Sequence, residues 1–245
     1  LSAEENIQEL CFTRGSLLTR EFDEIFSDLF SRRSPIYQAI VMSLSTGPKS
    51  LGDIRHEISK ARGGSFSNYL DDLMKAGFIS RDFSWNIRNG KFGKLSRYRL
   101  SDNYIRFYLK HILPNTAKIE SNTFAKSFLT SLAWENSMGL QFENLVVNNR
   151  IFLWELLGIS PEQIIADGPF FQTPTLKQAG CQIAYMIQTK FQTLYVVEIK
   201  FSRNEIGKKI IKEMEQKRLK LSLPKSTSVR PVLVHVNGVA ESVIE

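Results

Sequence analysis

Residues 181–201 read CQIAYMIQTKFQTLYVVEIKF, and this stretch decides the fold of the chain. Its second half, 195–201, is a run of strand-forming residues interrupted by Glu198 and Lys200. Residues i and i+2 of a strand project from one face, so Glu198 and Lys200 point together. A carboxylate and an ammonium inside an apolar strand are costly unless they are paired or hold a metal. A strand-edge salt bridge meets that demand without any further function. Residues 181–188 read as another strand and 189–192 as a polar turn, which joins the two into a hairpin. If it is centred near Phe191, Ala184 lies opposite Glu198 on the same face, and a register one residue off puts them on opposite faces.

The hairpin resembles the core of the PD-(D/E)XK nuclease superfamily. The resemblance matches at Glu198 and Lys200 and fails at the position where an Asp is expected, which is Ala184 here. It implies two carboxylates that hold Mg²⁺ or Mn²⁺, and a lysine that activates water or stabilises the developing phosphorane charge. Ala184 reads as a substitution of that Asp. With it, the resemblance implies weak or absent metal binding and no cleavage by this chain.

Working outward, residues 202–221 read as a helix with Ile206, Ile210 and Met214 on one face and Lys208, Lys209, Lys212, Lys217 and Arg218 on the other. Such a face is ordinarily solvated, and it can also track a phosphate backbone. By the resemblance, Gln216 and Lys217 approach the active site. Residues 230–236, RPVLVHV, read as a further buried strand, so strand–helix–strand predicts a parallel pair with a right-handed crossover. Upstream, 134–155 reads as one periodic helix burying Leu140, Val146, Val147, Ile151 and Phe152. It carries Glu143, which the resemblance makes a metal ligand beside Glu198, whereas a glutamate on a helix is ordinarily just solvated. Residues 164–171 suggest a short strand, with Asp167 as a turn aspartate before Gly168 and Pro169 rather than a ligand.

The N-terminal part reads as helices, with a helical lead-in over 1–33. Ser34-Pro35 opens a helix to Leu44, Gly47-Pro48 is a turn, and two further helices follow over 51–59 and 65–76. Gly77 caps the last helix, then strands over 78–83 and 94–100 flank a tip with Asn89-Gly90. Three helices and a two-stranded ribbon resemble a winged helix over 34–113. In a DNA-binding version Ser65, Ser67 and Asn68 face the major groove, and Arg88, Lys91, Lys94 and Arg97 of the wing meet phosphates, as Lys208 and Lys212 do in the second domain. Winged helices also serve as protein-interaction modules, and a basic hairpin is often merely solvated. Residues 114–130 read as a partly helical linker, and 131–245 as the nuclease-like domain. The expected fold class is therefore α/β: a helical winged-helix module, then a restriction-endonuclease-like domain with a mixed sheet.

Thirty-two Lys and Arg against 25 Asp and Glu give a formal charge of +7, which favours a polyanionic partner. No apolar run approaches the roughly 20 residues that span a bilayer, so no membrane partner is expected. Cys11 and Cys181 form no CxxC or Cys/His cluster, and His56, His111 and His235 are scattered, so neither zinc nor a disulfide framework is indicated. A cytoplasmic location fits that cysteine usage. The chain opens on Leu1 without a basic leader and is expected to be a piece of something longer. The order winged helix, helix with FEN, IQT…VVEIKFSR and RPVLVHVNGV resembles the C-terminal half of prokaryotic ATPases that join an AAA+ or STAND-type NTPase to a PD-(D/E)XK-like domain. Gly47-Pro48-Lys49-Ser50 has the ending of a phosphate-binding loop without its leading glycine, so the ATPase part is expected outside this chain. The expected function is a DNA-binding, metal-dependent endonuclease module disarmed by Ala184. The alternatives are a non-catalytic DNA-binding or regulatory module, and a purely protein-binding one.

Overall fold

The computed structural model describes residues 2–58, 65–124, 132–176 and 178–244, the side chains of Arg32, Ser65, Leu132, Ala133 and Asn136 aside. The chain is α/β, and contacts divide it into two compact units. The first comprises Leu1–Arg81 with Arg97–Ser137, the second Asp82–Ser96 with Met138–Glu245.

In the first unit α1 (Ala3–Cys11) and α2 (Glu21–Phe30) precede α3 (Ser34–Leu44), α4 (Leu51–Glu57) and α5 (Ser65–Lys75). The helical lead-in shares its core with the three later helices: Phe26 stacks on Phe78, and Phe30 on Tyr37 of α3. Ser50 and Asp53 cap α4 reciprocally, which gives Ser50 a structural role in place of a phosphate-loop one. Gly77 takes the left-handed conformation at φ 81 that ends α5, as its position predicts. The hairpin β1 (Ile79–Trp85) and β2 (Phe92–Leu100) comes next. Lys49 exchanges backbone hydrogen bonds of 2.9 and 2.8 Å with Tyr98, a single-residue bridge to β2 that the alternation of residues did not reveal. Beyond it come α6 (Asn103–Phe107), a π-helical stretch (Tyr108–Ile112) and α7 (Thr116–Glu120). The last part of the expected linker, from 125 to 130, lies outside the described residues.

The second unit is built on a four-stranded sheet in the order β3 (Ile164–Gln172), β4 (Cys181–Thr189), β5 (Thr193–Lys200), β6 (Ser228–His235). The first two pairings are antiparallel and β5–β6 is parallel, with α10 (Lys209–Lys220) in the connection, so the sheet is mixed as expected. One face packs Tyr185, Ile187, Val197 and Ile199 against Val147 of α8 (Leu132–Asn148) and Leu153 of α9 (Arg150–Leu156). The other packs Ile183, Met186, Leu194 and Val196 with Leu221 after α10 and with Trp85 and Ile87 of the β1–β2 tip. The wing is thus part of this core. Trp85 Nε1 donates to Gln188 Oε1 at 2.8 Å, Gln188 Nε2 donates to the Ile87 carbonyl at 2.7 Å, and Ser84 Oγ donates to the Phe171 carbonyl at 2.5 Å. Gly90 sits so close to β3 that a Cβ there would lie 2.1 Å from Ile165 Cγ2. A short turn of helix, α11 (Glu241–Ile244), comes after β6. No helix among the described residues is long and apolar enough to cross a membrane.

Three sequence readings are corrected. The single helix expected over 134–155 breaks at Asn149, whose side chain donates to the Leu145 carbonyl at 2.8 Å. The break shifts the phase of α9, so Ile151 and Phe152 are exposed and Leu153 is buried instead. The helix expected over 202–221 begins only at Lys209, because Ser202 and Asn204 bond in a tight turn and Ile206 pairs with the 238–240 backbone. Lys208 therefore precedes α10 rather than lying within it. Asp167 is no turn residue: it lies inside β3, paired in register with Ile187.

Candidate functional site

The β4–β5 ladder pairs Tyr185 with Val197, Met186 with Val196 and Ile187 with Tyr195, so the hairpin is centred on residue 191. It ends one step short of the expected Ala184–Glu198 pair. There Gly168 pairs with Met186 and Phe170 with Ile183, so Pro169 alone faces Ala184 and Tyr185, a bulge in β4. Ala184 consequently packs with the Tyr185–Val197–Ile199 cluster. Glu198 follows Leu194 and Val196 by alternation and faces α10. Same-face apposition of Ala184 and Glu198 is undone by the bulge.

Among the described residues of the unit Glu198 is the buried charge, its side chain 7% exposed. Lys200 Nζ lies 3.1 Å from Glu198 Oε1, and Lys217 Nζ from α10 donates to Oε2. Lys200 also lies 3.3 Å from Glu213, which Lys209 approaches at 3.7 Å. Burial pulls the Lys200 ammonium down, but the Glu198 and Glu213 carboxylates outweigh it and hold the group above its ordinary range. The neighbouring Cys181 thiol is pushed up by burial and contacts the Lys217 carbonyl. Lys217 reaches the Glu198–Lys200 pair, whereas Gln216, expected beside it, lines a cavity along the end of α10. His235 is a residue the sequence reading missed: the parallel register puts it beside Lys200 on β6, with its Nδ1 buried and without a hydrogen-bond partner in the structure. Its signal was the alignment of VVEIK with PVLVH across the crossover, but the register of a parallel pair is not legible from either strand alone.

Glu143 is half-buried on α8 beside Phe142, whose ring centroid lies 6.3 Å from that of Phe201 at the end of β5. Asp167 serves elsewhere. It accepts a hydrogen bond of 2.7 Å from the Tyr185 hydroxyl, which accepts one from Trp154 Nε1 at 2.8 Å, and Arg150 approaches it at 3.4 Å. Among the described residues no three His, Cys, Asp or Glu side chains come together as metal ligands. Both Glu198 oxygens are bonded to ammonium groups and Ala184 offers a methyl, so as the chain stands these residues do not fit Mg²⁺ or Mn²⁺.

The residues expected at DNA are spread over both units. Ser67 and Asn68 are exposed on α5 together with Asp71, a carboxylate that phosphate disfavours, and the Ser65 side chain lies outside the described residues. Arg97 belongs to the first unit, where its charge helps lower the Asp53 carboxyl behind the Ser50 hydrogen bonds. Arg88, Lys91 and Lys94 are exposed on the hairpin tip of the second unit, as are Lys208 and Lys212 near the start of α10.

Comparison with known proteins adds one relative: 31% identity over 88 residues to an uncharacterized protein of Methanocaldococcus jannaschii, covering 36% of this chain and 19% of that protein. The chain thus matches about a fifth of the relative's length. No family model and no solved structure matches the chain.

Proposed function

We propose that this chain carries a DNA-binding, nuclease-derived module of a larger ATPase, with its phosphodiester-cleaving site disarmed at Ala184. The observation that carries the reading is Glu198. It is buried at the end of β5, paired with Lys200 in a hairpin of the expected centre, and met by a second lysine from the following helix. A strand-edge salt bridge needs only one cation. Lys200 and Lys217 are each about a third exposed, 38% and 30%, so their ammonium groups keep donors open toward a phosphate oxygen.

The non-catalytic alternative is favoured by one specific observation: Ala184 packs on the sheet face away from Glu198. The two readings separate on Ala184→Asp, compared with the parent chain on labelled single- and double-stranded DNA with Mg²⁺ or Mn²⁺. The disarmed-site reading expects cleavage only by the Asp variant, lost again in Ala184→Asp/Lys200→Ala, and requires the β4 bulge to shift so that residue 184 turns toward Glu198. Turnover by the parent chain sinks the disarmed-site reading. No cleavage by either protein, with DNA still bound, replaces the nuclease reading with the binding module.

A further inference from the structure

Away from Glu198 the second unit contains two neighbouring cavities. One, of about 530 Å³, lies between the hairpin tip and the end of β3, with Trp85, Arg88, Lys94, Phe171, Thr173 and Thr175 among its lining. The other, of about 390 Å³, runs along the end of α10 past Gln216, Leu219 and Lys220. Both are lined by Gln178 and Ser222, so they adjoin. The wall they share is built: Gln172 Nε2 donates to the Ala179 and Lys220 carbonyls at 2.6 and 2.8 Å, and Gln172 Oε1 accepts from Ser222 N at 3.3 Å. One side chain thereby clips the β3–β4 connection to the end of α10.

We propose that the two cavities form one groove that binds a single strand of nucleic acid, an inference that rests on the DNA-binding reading above. Charge argues for a polyanion. Arg88 and Lys94 stand at one end and Lys220 at the other, and no carboxylate is among the described residues lining either cavity. Size argues for a strand rather than a duplex, since each cavity lies in the roughly 300–1,000 Å³ range of clefts that take one small ligand. Stacking argues for bases. Trp85 is among the lining, and Phe92, 56% exposed with its ring centroid 5.8 Å from that of Trp85, offers a second ring of the kind on which single-strand binders stack bases. Arg88 and Lys94 are thereby reassigned from a duplex contact of the winged helix to a groove of the second unit.

The test is fluorescence anisotropy of the full 245-residue chain with a labelled oligothymidylate and a duplex of equal length, at two salt concentrations. Arg88→Ala/Lys94→Ala is expected to weaken strand binding about tenfold or more and to reduce the salt slope by about 1.4, two phosphates at ~0.7 each. Phe92→Ala is expected to weaken it roughly tenfold with the slope unchanged. Lys208→Ala/Lys212→Ala, on exposed residues outside the groove, should change it less. All five side chains are exposed, so unchanged thermal melts separate lost binding from lost fold. Strand binding that survives the groove variants but collapses in Lys208→Ala/Lys212→Ala overturns the groove and leaves the DNA-binding reading standing. Failure of the parent chain to bind either DNA overturns both.

Discussion

Glu198 lies in a strand interior with ammonium groups at both of its oxygens. Replacing it with a neutral amide leaves Lys200 and Lys217 facing one another, with Glu213 still near Lys200. Breaking a fully buried pair costs about 3–5 kcal/mol. Both lysines are about a third exposed, so solvent screening brings the expectation for Glu198→Gln down to about 1–2 kcal/mol. Lys217→Met keeps the Lys200 pair and should cost less. Urea titration checks this order, and a gain of stability in Glu198→Gln would mean that the carboxylate is held there against its desolvation cost. The Glu198–Lys200 pair was legible because a period of two needs no tertiary information. Placing Ala184 was not, because its side of the sheet is set by the bulge against Pro169 on a strand that adjoins from elsewhere in the sequence.

Among the elements, the π-helical stretch 108–112 holds His111 at 2% exposure, with ring centroids of Phe107 and Trp134 at 5.2 and 5.3 Å. Burial, with Lys110 adding to it, lowers the imidazole from 6.5 to about 4. The folded protein therefore keeps His111 neutral where the unfolded chain has already taken up a proton. Its contribution is fully present above pH 6.5 and is lost as pH falls toward 4, reaching about 3 kcal/mol over that window. Thermal melts at pH 7.5 and 5 should show this loss, and His111→Phe should flatten it between pH 6.5 and 5. An unchanged slope in the variant would assign the acid sensitivity to other groups. Gly77 was readable as the cap of α5, whereas Ser34 is the first residue of α3 rather than its cap and makes no side-chain cap bond, and the Ser50 cap of α4 was missed. Element ends were misread where the backbone found partners off the helix, as Ile206 does with residues 238–240.

For the whole molecule, the decisive feature is that the second unit is discontinuous. A cut read from composition is contiguous by nature, so a boundary near 113–130 could not show that residues 82–96 complete the core around β4. Trp85 and Ile87 are buried there with Phe170, Ile183 and Met186, and among the described residues the Gln188 amide bonds to Trp85 and Ile87. Removing a buried Trp costs about 3–5 kcal/mol and orphaning a buried amide about 1–3. Together these approach the whole stability of about 5–15 kcal/mol that a domain has. Residues 138–245 expressed alone should therefore melt without cooperativity and bind a hydrophobic dye, whereas Gln188→Ala in the full chain should fold and lose about 2 kcal/mol. A cooperative melt of 138–245 alone would show that the hairpin tip only rests on the sheet. Loss of cooperativity instead makes the hairpin tip a structural part of the second unit, in keeping with Arg88 and Lys94 lining a cavity of that unit.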